Sequence, residues 1–324
     1  MEAFIYELWE QDQLKQAAAL FQASSLELIS TSESFVYSGR REEQNLILRV
    51  THSSHRSEAQ IQGEMDWIQH LGAAGVPVSA PLVSIHGQTV EQLGAFLITA
   101  FERAPGQHPQ LHEWGEELFR EWGRTIGAMH RAAALYEFDS RRPHWTEEYN
   151  VAAIHEVLAH DPELIACQRQ LLEELHALPQ NRSSFGMVHS DFEDGNFFLY
   201  EGRIHPFDFD ECQYHWFAYD IGNSIRAASW ILPLAAPSYT LEQFAGHFLD
   251  GYRQEHVLEA FWVRQLPLFI RLRELCIYVY LHGKRDVQKM SEEEQAYLRQ
   301  MRSNIVCGVS CVSMNFAEWA HLYV

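Results

Sequence analysis

Residues 187–222 read MVHSDFEDGNFFLYEGRIHPFDFDECQYHWFAYDIG, and three groups in them have the types and spacing of side chains that act together. His189, Asp191 and Asn196 form H-x-D-x-x-x-x-N. Asp208-Phe209-Asp210 follows a β-prone run, and Asp220 sits in Tyr219-Asp220-Ile221-Gly222. With 18 His, 11 Asp and 7 Asn in 324 residues, chance gives the first spacing about 0.013 times per chain, so an ordinary polar loop is a poor explanation. The chemistry these types suit is phosphoryl transfer to a hydroxyl. A carboxylate must orient the hydroxyl and take its proton, oxygen ligands must hold Mg²⁺, and positive charge must balance the phosphates. Asp191 meets the first need. Asn196, five residues on, can turn its carbonyl oxygen to a metal, and Asp208 supplies the hard anionic oxygen that Mg²⁺ prefers. If 207–210 is extended, Asp208 and Asp210 share one face while Phe207 and Phe209 face the core.

These groups need elements to hold them. The first hundred residues read as strands around one helix. Leu26–Ser30, Phe35–Tyr37 and Leu46–Val50 are β-prone, with turn residues at Thr31–Ser34 and again at Ser38-Gly39-Arg40. Ile61, Met65, Ile68 and Leu71 recur at helical spacing until Gly75-Val76-Pro77 stops the helix. Pro81–Ile85 and Ala95–Phe101 complete a small mixed sheet. Arg103-Ala104-Pro105-Gly106 reads as a linker. Beyond it the pattern is helical over 113–134 and 160–178, β-prone in two runs over 185–210, and helical again from Trp216. Ser291 and Glu294 have capping-box spacing.

Composition narrows the class. Net charge is −20, 47% of residues are hydrophobic, and lysine occurs only at 15, 284 and 289. Such a chain is globular, long enough for two lobes, and poorly suited to a nucleic-acid backbone or an anionic membrane surface. The five cysteines are sparse and odd in number, as in a reduced compartment. Cys307 and Cys311 read as two buried thiols on one helix face. The acidic start MEAFIYELWE is unlike a signal peptide, and no apolar run approaches the ~20 residues of a membrane span. The reading is a cytoplasmic protein. His52-x-x-His55 and His108-x-x-x-His112 lack the partners of a zinc site.

The 187–222 stretch resembles the aminoglycoside phosphotransferase and choline kinase superfamily, whose fold is that of protein kinases; its Asp-Phe-Asp-Glu run is most similar to bacterial homoserine-kinase-like and stress-response-kinase-like members. The resemblance implies an α+β, two-lobed fold: a nucleotide-binding lobe over 1–102 with a small mixed sheet and one helix, a hinge at 103–107, and a mainly helical catalytic and acceptor lobe over 108–324. It implies Asp191 as catalytic base, Asn196 and Asp208, with Asp210, as metal ligands, and His189 and Asp220 as braces of the catalytic loop. Glu64 matches the family's helix glutamate. The position of the family's strand lysine falls at Arg49, and here the sequence departs, since no lysine lies between Lys15 and Lys284; an arginine keeps the charge but presents a planar fork. No G-x-G-x-x-G occurs, so the turn Ser32-Glu33-Ser34, with the Ser34 hydroxyl, takes the place of the phosphate loop. The nucleobase is expected on the linker backbone from Glu102 to Ala104. His130 reads as a packing residue and Trp216 as a wall of the acceptor pocket. The implied function is ATP- or GTP- and Mg²⁺-dependent transfer to a small-molecule hydroxyl, with homoserine-like, choline-like, amino alcohol and aminoglycoside-like acceptors open. A protein Ser/Thr kinase and a nucleotide-binding pseudokinase or scaffold are the alternatives, and oligomeric state is not legible.

Overall fold

The structure, a computed structural model, describes residues 3–322; the ends of the acidic N-terminal stretch and of the C-terminal lobe lie outside them. The chain divides into two compact units. Unit 1 is Met1–Gln107 with Asp139–Arg142 and Phe197–Asp210. Unit 2 is His108–Phe138, Pro143–Asn196 and Glu211–Val324. The division drawn at 102 and 108 is contiguous, whereas two later pieces of chain return to unit 1.

Unit 1 begins with helices α1 (Ala3–Leu8) and α2 (Gln11–Leu20). They precede strands β1 (Ser24–Ser30), β2 (Phe35–Arg41) and β3 (Gln44–His52), helix α3 (Glu58–Ala73), and strands β4 (Pro81–Leu82), β5 (Val90–Leu93) and β6 (Phe96–Glu102). The strand order is β1-β2-β3-β6-β4, with β5 also on β6, and the pairings are antiparallel. Three helices therefore replace the single one read from periodicity; α2, QDQLKQAAAL, buries little beyond Ala17 and so carries a weak apolar stripe. The expected turn at Ser38-Gly39-Arg40 is also absent. β2 runs through to Arg41, and Gly39 marks close backbone approach: an added Cβ would lie 2.9 Å from Ser24 O. The chain turns instead at Glu42, with φ +52°.

Alternation along β3 sorts the side chains. Leu46, Leu48 and Val50 join Ile5, Ala17, Phe21, Phe35, Phe96 and Ile98 in one core. Arg49 and Thr51 project from the opposite face. Helix α3 is set by a reciprocal cap. Ser57 Oγ accepts from Gln60 N at 3.2 Å, and Gln60 Oε1 accepts from Ser57 N at 2.9 Å. Its buried side chains are Ile61, Glu64, Met65, Trp67, Ile68 and Leu71.

Unit 2 holds α4 (Glu116–Ala133), α5 (Tyr149–Ala152), α6 (Ile154–Val157), α7 (Pro162–His176) and β7 (Phe185–Val188). The next hairpin, β8 (Phe197–Tyr200) and β9 (Arg203–Pro206), belongs to unit 1. Gly106 closes the linker against it with φ +81°; an added Cβ there would stand 2.2 Å from Leu199 O. Leu199 N also donates to Gln107 O at 2.8 Å. Unit 2 continues with β10 (Gln213–Trp216), which pairs with β7, and with α8 (Phe217–Ala235), α9 (Leu241–Tyr252), α10 (Ala260–Lys284), α11 (Glu292–Cys307) and α12 (Phe316–Leu322). The 185–210 region thus holds three strands where two runs were read. Ser291 and Glu294 make the expected box at 2.9 and 3.2 Å. The two-thiol face is corrected: α11 ends at Gly308, φ +65°, leaving Cys307 exposed at its last turn and Cys311 beyond it. Among the described residues no helix is long and apolar enough to cross a membrane.

Candidate active site

In unit 1, Arg49 and Glu64 meet as a buried ion pair. Arg49 Nη1 and Nη2 donate to Glu64 Oε1 and Oε2 at 2.9 and 2.6 Å, with Arg49 6% and Glu64 0% exposed. Burial alone would lower the Arg49 pKa, but the Glu64 carboxylate outweighs it and drives the value up. The fork of an arginine satisfies both carboxylate oxygens, which one ammonium could not do with the same planarity.

Ser34 differs from expectation. It is 6% exposed, and its hydroxyl is hydrogen-bonded to Thr51 Oγ1 at 2.9 Å. The hydroxyl ties the end of the β1–β2 turn to β3. At the linker, a pocket of ≈ 360 Å³ is lined by Gln44, Asn45 and Glu102 to Gly106, so Glu102 and Ala104 both border open space.

The shared face of Asp208 and Asp210 does not form. β9 ends at Pro206, and Asp208 takes φ +63°, a left-handed conformation that breaks the alternation. Asp208 is exposed and Asp210 is 8% exposed. Asp210 Oδ2 accepts from His55 Nε2 at 3.0 Å and Arg56 Nε at 3.1 Å, and Oδ1 lies 4.0 Å from Arg49 Nη1. Burial would raise the Asp210 pKa, yet Arg56, then His55 and Arg49, hold it well below the usual carboxylate range. Sequence reading missed Arg56, and dismissed His55 with the zinc pairs. Their only signal was basic character just ahead of the helix cap Ser57.

In unit 2, the 189–196 loop hangs from Asp220 on the first turn of α8. Asp220 is fully buried and accepts from His189 N at 2.9 Å and Ser190 N at 2.8 Å. Ser190 has φ +73°, and its carbonyl accepts from Asn223 Nδ2 at 3.2 Å. This held strain turns the loop after β7. His130 Nε2 lies 3.3 Å from Asp220 Oδ2, and its Nδ1 3.0 Å from the Tyr252 hydroxyl. Burial lowers the His130 pKa against the pull of Asp220, so the ring is neutral, donating to Asp220 and accepting from Tyr252. Asp220 in turn is lowered despite its burial, first by the His130 hydrogen bond. His189 is 1% exposed, and Asp191 N approaches its Nδ1 at 3.4 Å. His130 is a satisfied packing residue. Trp216 is corrected: it is wholly buried, with Nε1 donating to Pro179 O at 2.8 Å, so its ring is packed in the core.

Asp191 is half-buried. Asn196 Nδ2 donates to its Oδ2 at 2.9 Å and to its carbonyl at 2.7 Å, and the Arg273 guanidinium contacts its Oδ1. With the Asn196 amide nitrogen spent on Asp191, the other end of that amide is an oxygen. This oxygen, and the exposed Asp208 carboxylate, are the hard donors a divalent cation selects. Arg273, from α10, also pairs with Glu211 at 3.2 Å and Glu193 at 3.8 Å. Burial would lower its pKa, but the surrounding Tyr219, Asp191, Glu211 and Glu193 raise it. Sequence reading missed Arg273. Its signal was a charge inside the apolar run LFIRLRELCIYV, which a helix can tolerate only beside a partner.

The chain is similar to known phosphotransferases. The phosphotransferase enzyme family matches residues 25–259. The amicoumacin kinase of Bacillus subtilis (strain 168) is 33% identical over 320 residues, covering 95% of both chains. The solved amicoumacin kinase hAmiN, in complex with AMP-PNP, Ca²⁺ and Ami, superposes with a TM-score of 0.92 at 31% identity over 98% of this chain and 100% of that one. A microcompartment-associated aminopropanol kinase shares the fold, with a TM-score of 0.68 at 22% identity over 92% and 95%. With a buried cation–glutamate pair behind its sheet and an H-x-D-x-x-x-x-N loop braced by an aspartate, the chain belongs to the phosphotransferase enzyme family and is a kinase of small-molecule hydroxyl groups.

Proposed function

We propose that the protein moves the γ-phosphate of ATP, with a divalent cation, onto a hydroxyl of an amicoumacin-like molecule. The observation that carries the reaction is Asp191, whose carboxylate is fixed at one oxygen by Asn196 and at the other by Arg273. The observation that favours this acceptor is 33% identity across 95% of both chains to an amicoumacin kinase.

In this reading Asp191 orients the acceptor hydroxyl and takes its proton as the oxygen attacks phosphorus. Its two fixed contacts keep the carboxylate aimed, which lowers the cost of ordering it at the moment of reaction. Asn196 through its amide oxygen, and Asp208, would hold Mg²⁺, which would supply positive charge against the phosphates. Arg49, held by Glu64, contacts the α/β phosphates. The nucleobase meets the backbone at Glu102 and Ala104, beside the ≈ 360 Å³ pocket. With the Ser34 hydroxyl committed to Thr51, the backbone of the β1–β2 turn serves the phosphates in its place. His189 and Asp220 hold the loop. Five free cysteines and ATP use fit a cytoplasmic enzyme.

The test is transfer from ATP and Mg²⁺ to amicoumacin, followed by ADP release and by the acceptor's gain of one phosphate in mass. Asp191→Ala should bind nucleotide almost as the parent does and transfer nothing. Equal turnover in variant and parent would sink the assignment of the base. Asp208→Ala should weaken Mg²⁺-nucleotide binding, and an unchanged metal affinity would count against its role. Nucleotide binding with no transfer to any hydroxyl acceptor would favour the scaffold reading, which the arginine at the lysine position motivates.

A further inference from the structure

We propose that Asp210 is a positioning residue: it gathers Arg49, His55 and Arg56 into one cationic group for the nucleotide phosphates and is not a metal ligand. The inference rests on the nucleotide-binding reading above and reassigns one residue within it. The three basic groups lie within eight residues of chain, on β3 and the loop that leads to α3. Left alone the two guanidiniums would repel one another. The anion they share comes from 154 residues later, where Asp210 Oδ2 accepts from both His55 Nε2 and Arg56 Nε. The Asp210 backbone is fixed as well. Its carbonyl accepts from Arg142 Nη2 at 2.6 Å, and Arg142 Nη1 donates to Gln60 O on α3 at 3.1 Å.

A metal is the competing occupant. Glu33, His55 and Asp210 offer ligand atoms all within 4.8 Å of one another. The charges around them speak against a cation. The two donors already fill the in-plane lone pairs of Oδ2. Oδ1 makes no hydrogen bond, but the group nearest to it is the Arg49 guanidinium at 4.0 Å. A divalent ion at the ~2.1 Å bond length of Mg²⁺ from Oδ1 would be pressed against that guanidinium and against Arg56. His55 is the most open of the three basic groups, with its side chain 22% exposed against 7% for Arg49 and 9% for Arg56. Its Nε2 also faces Glu33 Oε2 at 3.5 Å, an acidic group of the turn assigned to the phosphates. A carboxylate of this chain thus already rests on His55, as a phosphate oxygen would.

The experiment is calorimetric titration of the full chain with AMP-PNP and with adenosine, each in Mg²⁺ and in EDTA. It compares the parent with Asp210→Asn and His55→Gln. The amide of Asp210→Asn keeps one acceptor and loses the charge. Both variants should bind AMP-PNP about tenfold more weakly in Mg²⁺ and in EDTA alike, the size of one charge-assisted hydrogen bond, and adenosine as the parent does. A loss in Asp210→Asn confined to Mg²⁺ would make it a metal ligand and overturn the inference. Equal losses for adenosine and AMP-PNP would make the role merely structural and also overturn it. A parent that binds AMP-PNP in Mg²⁺ but not in EDTA would show that the cations hold no phosphate by themselves, which overturns the inference too. If Asp210→Asn does not fold, His55→Gln decides, and unchanged AMP-PNP affinity there overturns the inference. A parent that binds AMP-PNP in neither condition removes the nucleotide reading itself, a failure distinct from all of these.

Discussion

Replacing Arg49 and Glu64 with methionine, singly and together, separates what their pair contributes to stability from what it contributes to nucleotide binding. The two meet through hydrogen bonds of 2.9 and 2.6 Å, nearly out of contact with water. With charge centres ~4 Å apart and an effective dielectric near 20, their attraction is about 4 kcal/mol. Arg49→Met leaves the wholly buried Glu64 carboxylate without its cation, and such a break costs about 3–5 kcal/mol. Glu64→Met costs less, roughly 2–3 kcal/mol, because Arg49 still has Asp210 4.0 Å away. The double variant removes both charges and fills the space with apolar atoms, so it should recover at least ~2 kcal/mol relative to Arg49→Met. The assay is a urea titration at neutral pH, read through hydrogen exchange of the β3 and α3 amides to isolate this part of the chain. Affinity for Mg²⁺-ATP should fall in all three variants, including the re-stabilised one. Destabilisation in the double variant equal to the sum of the singles would refute the claim that the two charges depend on each other. Full ATP affinity in the double variant would refute the role of Arg49 toward phosphate.

Two further outcomes follow from unit 2. Asp220→Asn sets an amide NH₂ against donors where the carboxylate now accepts from His189 N, Ser190 N and His130, so the fold should lose about 2–4 kcal/mol in urea titration and transfer should fail. The folded pKa of Asp220 is lowered, so the stability it supplies is complete above about pH 4 and is lost as pH falls through the folded value; Asp220→Asn should flatten that limb of an acid titration. His215 works at higher pH. Burial takes its pKa down to about 3, its Nδ1 accepts from Trp216 N at 2.8 Å, and its ring stacks on Tyr219. The unfolded chain therefore takes up the proton first, and stability falls as pH drops below about 6.5, by about 2 kcal/mol at pH 5. His215→Asn keeps an acceptor but cannot titrate, so it should remove this part of the slope; an unchanged slope would rule the residue out.

The parts of the site that sit on regular spacing were legible. The pairing of Arg49 with Glu64 and the dependence of the 189–196 loop on Asp220 were both implied by the family resemblance that the motif carries, and both contacts form. What escaped was fixed by backbone exceptions and by distance along the chain. Nothing in Phe207-Asp208-Phe209-Asp210 announces that Asp208 adopts φ +63°, and this one residue sends the two carboxylates to different surroundings. His55 and Arg56 gain meaning only from Asp210, and Arg273 only from Asp191, contacts 155, 154 and 82 residues apart. Helices α1 and α2 escaped because their stripes are too thin for periodicity to detect. Ser34 was misread because a hydroxyl in a turn points where packing sends it, here to Thr51.

The return of 139–142 and 197–210 to unit 1 sets a timetable for synthesis. A growing chain that has reached only Gln107 carries β1 to β6 and α3, yet lacks β8, against which Gly106 closes, and the anion that joins His55 to Arg56. Arg142 arrives next, still without the Asp210 carbonyl that receives it. The N-terminal third therefore waits on the ribosome with His55 and Arg56 lacking Asp210 until residue 210 has emerged, although Arg49 already has Glu64. Its maturation is bound to that of a distant stretch of the same polypeptide, and truncated products should be poor at folding.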